Sequence, residues 1–357
     1  MKEDVAPARP GEELPVERLE GWLRERLPGL EGPLRVLQFP GGHANLTYEL
    51  RLGPRELVLR RPPLGPLAPG AHDMVREYQV LSRLSPHFPR APRAFLLCED
   101  PEVIGARFFV MERRRGVVVR GTVPPELARH EDVGRRLSFA LVNAMADLHA
   151  VDYAAAGLSD LGRPEGFAER QLAGWKKRFE LAHEEPLPTF DEVHAALGER
   201  LPPAGPASLI HNDLKLDNCQ FDAADPDRVA SIFDWDMATL GDPLFDFGTL
   251  LGYWPEPGDP EERGLQGVTS LRAELPTRRE LSLRYAERRG AALHALAWYE
   301  AFALWKTAVI LQQIYVRFER GQTRDARFAR LGAAVPGLVR AAAGVLESAD
   351  GASGHSP

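Results

Sequence analysis

Apolar and polar residues alternate early in the chain. In NLTYELRL (45–52), Leu46, Tyr48, Leu50 and Leu52 interleave with Thr47, Glu49 and Arg51, the period of a strand with one buried face. Gly53–Pro54 turns the chain, and ELVLRR (56–61) returns as a second strand. AHDMVREYQVLSRL (71–84) changes to helical spacing, with Met74, Tyr78 and Leu81 on one face. RAFLLCED (93–100) and ARFFVMER (106–113) predict two more strands around a turn at Pro101–Gly105. Ahead of them, VERLEGWLRERLPGL (16–30) predicts a short helix that stops at Pro28–Gly29. From about residue 126 helical periodicity takes over, in 131–152, in 166–182 and throughout about 280–347. Strands first and helices afterwards predict an α+β chain of two lobes. The smaller lobe is a small antiparallel sheet with one helix over 16–115; the larger, mainly helical lobe covers 116–347. RRRGVVVRG (113–121) contains the crossing, and the Pro/Glu-rich residues 1–15 and small-residue stretch 348–357 read as disordered tails.

Composition narrows the function classes. A chain of 357 residues with 44% hydrophobic and 27% charged residues can build an ordinary globular core. Its net charge of −7 argues against nucleic acid or an anionic membrane as partner. Two cysteines, Cys98 and Cys219, with no ligand spacing around them, exclude a disulfide framework or zinc site and fit a cytoplasmic protein. The start lacks the apolar core of a signal peptide. The longest apolar stretch considered, 301–316, is broken by Lys306 and Gln312–Gln313 and reads as a buried helix, so no membrane span is expected.

The candidate chemistry lies in LIHNDLKLDNCQF (209–221). Apolar ends bracket His211, Asp213, Lys215, Asp217 and Asn218, which suggests a loop pinned by buried residues. Asp213 and Asn218 form H-x-D-x-x-x-x-N with His211, and Asp234 follows the strand-like VASIF. Phosphoryl transfer needs this set: a carboxylate to orient and deprotonate a hydroxyl, and an amide oxygen and second carboxylate for Mg²⁺. Upstream, FPGGHANLTY (39–48) offers Gly41 and Gly42, where backbone can approach phosphates, with donors such as Asn45. ELVLRR supplies a cation and helix 71–84 supplies Glu77 as its natural partner. Asp213 and Asn218 alone could be turn formers, and Asp234, Asp236, Asp242 and Asp246 a solvated acidic run. Their interleaving with Trp235, Leu240, Phe245 and Phe247 favours a buried functional loop. His211 and His149 read as structural histidines, and the run Arg113–Arg115 carries no assignment.

Taken together, LIHNDLKLDN, IFDWDMATLGDPLFDFG, the GGHANLTY turn and the REYQVL helix resemble the aminoglycoside phosphotransferase family, whose bilobal fold is that of protein kinases. VLRRPPLGPLAPGAHDMVREYQVL and WYEAFALWKTAVILQQIYVRFERGQT resemble more closely the kinase-like domain found fused to, or beside, some acyl-CoA dehydrogenases. The resemblance implies ATP, Mg²⁺ and a small-molecule hydroxyl acceptor, in this subgroup a hydroxy acid or its acyl-CoA form. It implies Asp213 as catalytic base, Lys215 to neutralise the transferring phosphoryl group, and Asn218 and Asp234 as magnesium ligands. Gly41, Gly42, Asn45, Arg60, Glu77 and Met111 fall among the nucleotide contacts, with His211 as structural support and Asp242 and Asp246 as structural residues bracing the metal loop.

Two positions depart from the family pattern: its usual lysine is Arg60 (or Arg61), and position 212, commonly glycine, is Asn. Segment 298–327 carries Lys306, Arg317, Arg320, Arg324 and Arg327 against Glu300, Glu319 and Asp325, a tilt toward an anionic or neutral acceptor. The competing readings are a nucleotide-binding regulator on the same fold, an aminoglycoside, choline or sugar kinase, and a metal-dependent hydrolase.

Overall fold

A computed structural model describes residues 4–40, 45–65, 72–183, 186–264, 274–290, 293–323 and 326–353. Two units emerge, one of residues 1–115, 152–158 and 230–238, the other of 116–151, 159–229 and 239–357. The first therefore takes in two short later segments, one of which carries Asp234.

In the first unit, α1 (Val16–Arg26) precedes β1 (Leu34–Gln38), β2 (Leu46–Leu52) and β3 (Arg55–Arg61), followed by α2 (Met74–Leu84), β4 (Ala94–Cys98) and β5 (Phe108–Glu112). The five strands form one antiparallel sheet in the order β1-β2-β3-β5-β4. Alternation sorts its faces. Leu57 and Leu59 join Leu46, Tyr48, Leu50, Phe108 and Val110 in a core closed by Leu19, Trp22 and Leu23 of α1. One residue out of phase, Val58 and Arg60 take the other face. Asp73 caps α2 by accepting from the Val75 and Arg76 amides at 3.0 and 3.1 Å. The cap leaves Glu77 buried in the first turn.

Residues 4–15, expected as a disordered tail, lie along this sheet. Ala6 bridges Gln38, the Tyr48 hydroxyl donates to the Glu12 carbonyl at 2.6 Å, and Leu14 joins the core. Arg113 binds Asp4 and the fully buried Glu49, while Arg114 and Arg115 pair with Glu112 and Glu56. The arginine run is thus occupied structurally.

The second unit begins with β6 (Val117–Val118), α3 (Pro125–Ala128), α4 (Val133–His149), α5 (Phe167–Ala182) and α6 (Pro188–Glu199). β7 (Ser208–Ile210) and β8 (Cys219–Phe221) frame the polar loop. β9 (Val229–Ile232) leads toward Asp234, and β10 (Thr239–Gly241) pairs antiparallel with β7. α7 (Leu244–Tyr253), α8 (Arg278–Arg289), α9 (Leu296–Glu319) and α10 (Leu331–Ser353) complete the chain. α9 is apolar nearly all round and lies at the centre of a core that includes Trp298, Phe302, Trp305 and Val309. α10 runs into the expected C-terminal tail. Residues 326–349 are long and apolar enough to cross a membrane by length and composition. Yet Val335, Leu338, Val339, Ala342 and Leu346 bury in the same core as α9.

α7 approaches α9 through glycine. A Cβ at Gly248 would sit 2.6 Å from the Tyr299 Cβ and 2.7 Å from its backbone, and one at Gly252 would meet Ala303 at 3.1 Å. The close approach sets where α7 delivers Asp246 and Tyr253. Gly248→Ala is expected to cost about 1–3 kcal/mol through overpacking. Urea denaturation checks this; an unchanged midpoint would mean that the contact is not tight.

Candidate active site

The loop after β7 is held by its apolar members. Leu209, Ile210, Leu214 and Leu216 are buried, while Asp213 and Lys215 between them stay partly open. Three side chains converge on the Asp213 carboxylate. Lys215 Nζ lies 3.0 and 2.9 Å from its two oxygens, Asn218 Nδ2 donates at 3.0 Å, and the Tyr253 hydroxyl reaches Oδ1 at 3.4 Å. Asn218 Nδ2 also donates to the Asp213 carbonyl at 2.8 Å, fixing the turn. With its N–H groups spent on Asp213, Asn218 has its amide oxygen left for a cation. Burial works against the Lys215 ammonium, but Asp213, Tyr253 and Asp217 outweigh it and hold its pKa above the ordinary value. Burial, with Asp213 next, raises the Tyr253 phenol, which keeps it a donor.

The peptide ahead of Asp213 is held by Asp246. This fully buried carboxylate accepts from the His211 amide at 2.6 Å, the Asn212 amide at 2.5 Å and His149 Nε2 at 3.1 Å. His149 is oriented in turn by the Tyr285 hydroxyl, 2.6 Å from Nδ1. Burial raises the Asp246 pKa, yet His149 and His211 outweigh it and leave the group below its usual value. Asp246 therefore braces the Asp213 loop, where the sequence suggested the metal loop. Asp242 starts α7, accepting from the Leu244 amide at 2.9 Å and the Tyr299 hydroxyl at 2.7 Å. His211 is fully buried and accepts from the Asp213 amide through Nδ1 at 3.3 Å. Asn212 takes φ +68°, a conformation that glycine adopts freely and asparagine tolerates.

The first unit carries the other set. Arg60 of β3 forms ion pairs with Asp234 and with Glu77, the latter at 2.9 Å. Arg61 turns elsewhere and donates to the Ile104 carbonyl at 3.1 Å, so Arg60 occupies the lysine-like place. Glu77 also accepts from the Trp235 amide at 3.2 Å, tying α2 to the residue after Asp234. Asp234 takes φ +72°, and its side chain is 29% exposed while those of Arg60 and Glu77 are buried. Burial opposes the Arg60 charge, but Glu77, Asp234 and Asp236 outweigh it and hold the guanidinium above its ordinary pKa. Burial, reinforced by Asp234 and Asp236, pushes Glu77 up to about 8 against Arg60.

Three buried polar atoms here make no hydrogen bond among the described residues: Arg60 Nε, Glu77 Oε2 and Asn45 Nδ2. The first two touch only as charges, because the N–H does not align with the oxygen. Two orphaned donors suit phosphate oxygens, and the Asp234 carboxylate and Asn218 amide oxygen are hard donors of the kind Mg²⁺ takes. Among the described residues no group of three or more His, Cys, Asp or Glu could hold a metal. Asn45 Oδ1 contacts His72 Nδ1 at 2.9 Å, and Met111 is buried on β5 opposite Val58. Gly41 and Gly42 lie outside the described residues, as does Arg324.

Sequence reasoning missed Tyr253 and the placement of Lys306. Tyr253 closes an apolar helix and carried no motif signal. Lys306 was legible as a lysine interrupting an apolar helix; it is buried, with Nζ 3.4 Å from the Asn212 carbonyl.

Comparison with known proteins gives this geometry a context. A model of the phosphotransferase enzyme family matches residues 35–283. Acyl-CoA dehydrogenase family member 11 of Gallus gallus is 34% identical over 310 residues, which cover 84% of this chain and 39% of that protein. The chain thus spans well under half of that relative. A Ralstonia eutropha protein assigned to the aminoglycoside phosphotransferases superposes with TM-score 0.79 and 30% identity over 94% of this chain and 99% of that one. Aminoglycoside phosphotransferase APH(4)-Ia, solved with AMP-PNP and hygromycin B, shares the kinase-like α+β fold. It superposes at TM-score 0.59 and 15% identity over 92% of this chain and 98% of its own.

Asp246→Asn puts an amide N–H among buried donors. It is expected to cost about 2–4 kcal/mol at neutral pH. Because the folded pKa of Asp246 is depressed, its contribution is present above the ordinary value of 3.8 and lost as pH falls below it. The wild-type advantage should therefore narrow below that pH in denaturation curves. A pH-independent difference would contradict the assignment.

Proposed function

The chain belongs to the phosphotransferase enzyme family, and on that premise we propose that it transfers the γ-phosphate of Mg-ATP to a hydroxyl of a small hydroxy acid or hydroxyacyl-CoA. The observation that carries this reading is the Asp213 carboxylate held by Lys215, Asn218 and Tyr253. A carboxylate fixed by donors on several sides presents its open face to a hydroxyl in one orientation, which is what a general base needs. Asp213 would align the acceptor hydroxyl and take its proton as the new P–O bond forms. Lys215, beside it, would balance charge on the phosphoryl oxygens. Arg60 would grip non-transferred phosphate oxygens, its charge secured by Glu77.

Asn218 and Asp234 would hold the magnesium ion, which supplies charge neutralisation to the phosphates when bound. A metal ion there would compete with Arg60 for the Asp234 carboxylate. The Arg60–Asp234 pairing also favours a second reading, a nucleotide-binding regulator in which Arg60 keeps Asp234 occupied.

Support for the acceptor class comes from the likeness to acyl-CoA dehydrogenase family member 11. ATP as donor is supported by the AMP-PNP held by APH(4)-Ia. The charge tilt read from the sequence is weaker support, because Glu300 is paired with Arg263 and Lys306 is buried.

ADP release from Mg-ATP across hydroxy acids, hydroxyacyl-CoAs, choline, sugars and aminoglycosides tests the proposal. Acceptor-dependent ADP is expected with a hydroxy acid or hydroxyacyl-CoA. It should fall on the order of 10²–10⁴-fold in Asp213→Asn and vanish with EDTA. Full turnover in folded Asp213→Asn would sink the mechanism. Nucleotide binding without turnover on any acceptor would favour the regulator.

A further inference from the structure

We propose that Lys306 is a positioning residue for Asp213, holding the peptide between Asn212 and Asp213 in the orientation that aims the Asp213 carboxylate. The inference rests on the reading of Asp213 as the base. Lys306 is the only charged side chain among the buried residues of α9, where its neighbours Leu304, Trp305, Ala308 and Val309 are apolar and buried. Among the described residues no carboxylate lies within ion-pair distance of it. Its ammonium meets the Asn212 carbonyl at 3.4 Å and the Trp175 ring at 5.6 Å. A buried cation held by one carbonyl and one ring is costly unless its charge is used.

Peptide geometry shows what the charge does. The Asn212 carbonyl and the Asp213 amide belong to one rigid plane. Lys306 takes the oxygen edge of that plane, and His211 Nδ1 accepts from the N–H edge at 3.3 Å. Asp246 holds the preceding amide of Asn212 from α7. Asn212 at φ +68° gains nothing from its own backbone preference, so the surroundings must hold the plane. A rotation of this plane would swing the Cα–Cβ bond of Asp213 away from its three donors.

The groups around Lys306 act on its ammonium in both directions. Burial depresses its pKa, Asp213 and Asp246 oppose this, and Lys215 and Arg178 add to it. Lys306 contacts neither the acceptor nor the nucleotide in this account and acts through the peptide alone.

The test compares wild type, Lys306→Met and Asp213→Asn by ADP release from Mg-ATP, using water as acceptor where no better one is found. Hydrogen exchange of the peptide spanning 211–215 is measured on the same proteins. Lys306→Met keeps length and packing, and should lower kcat about 10–100-fold with KM for Mg-ATP changed less than about threefold. Exchange at 211–215 should rise while the first-unit sheet is unaffected. If Lys306→Met does not fold, Lys306→Gln carries the same comparison. Unchanged kcat and exchange beside an inactive Asp213→Asn would overturn the Lys306 role, as would a fall in kcat matched by an equal rise in KM. Full activity in Asp213→Asn would instead sink the reading of Asp213 as base.

Discussion

A single buried carboxylate supports the architecture around Asp213. Asp246 takes two successive backbone amides and an imidazole N–H into a site with no water-exposed surface of its own. Such a group is stable only when its oxygens meet donors, and the donors come from different places in the sequence. His149 arrives from the end of α4 and the amides from the exit of β7, while Asp246 itself rides on α7. α7 is placed by Gly248 lying against Tyr299 of α9. The loop geometry thus depends on helix packing some distance away, and a methyl group at residue 248 would be felt at residue 213.

Charge organises the two halves of the machinery in different ways. Around Asp213 the partners are donors, Lys215, Asn218 and Tyr253, and the proposed reading assigns the remaining face to the acceptor hydroxyl. Around Arg60 a buried cation bridges two carboxylates, one structural and one that a metal ion would need. Arginine in this place holds more tightly than lysine could, since its planar fork can address two acids at once. A nucleotide that recruits Arg60 to its phosphates would free Asp234 in the same step.

Much of this was legible in the sequence, for reasons that can be named. The strand ELVLRR was legible as the source of a cation but left Arg60 and Arg61 open; the ion pair of Arg60 with Glu77 and the turn of Arg61 toward Ile104 decide it. Helical spacing put Glu77 in the turn that reaches it. Apolar residues flanking Asp213 and Asn218 marked a pinned loop. What stayed hidden depends on tertiary geometry: a tyrosine that ends an apolar helix looks like core, and Tyr253 differs only by the carboxylate its hydroxyl meets. The family resemblance suggested Asp246 as a brace for the metal loop; that its oxygens take the amides of His211 and Asn212 depends on how α7 packs, which no motif states. The N-terminal residues looked disordered because Pro and Glu dominate them. Their order comes from Arg113 and Tyr48, far away in sequence.

Phosphoryl transfer to a carbon-bound hydroxyl is tested most directly by ³¹P NMR of a reaction with ATP, Mg²⁺ and a hydroxy acid or hydroxyacyl-CoA. A phosphomonoester resonance on the acceptor, growing in step with ADP, is the predicted result. Inorganic phosphate growing with ADP while the acceptor stays unmodified would contradict the claim and leave a hydrolase in its place.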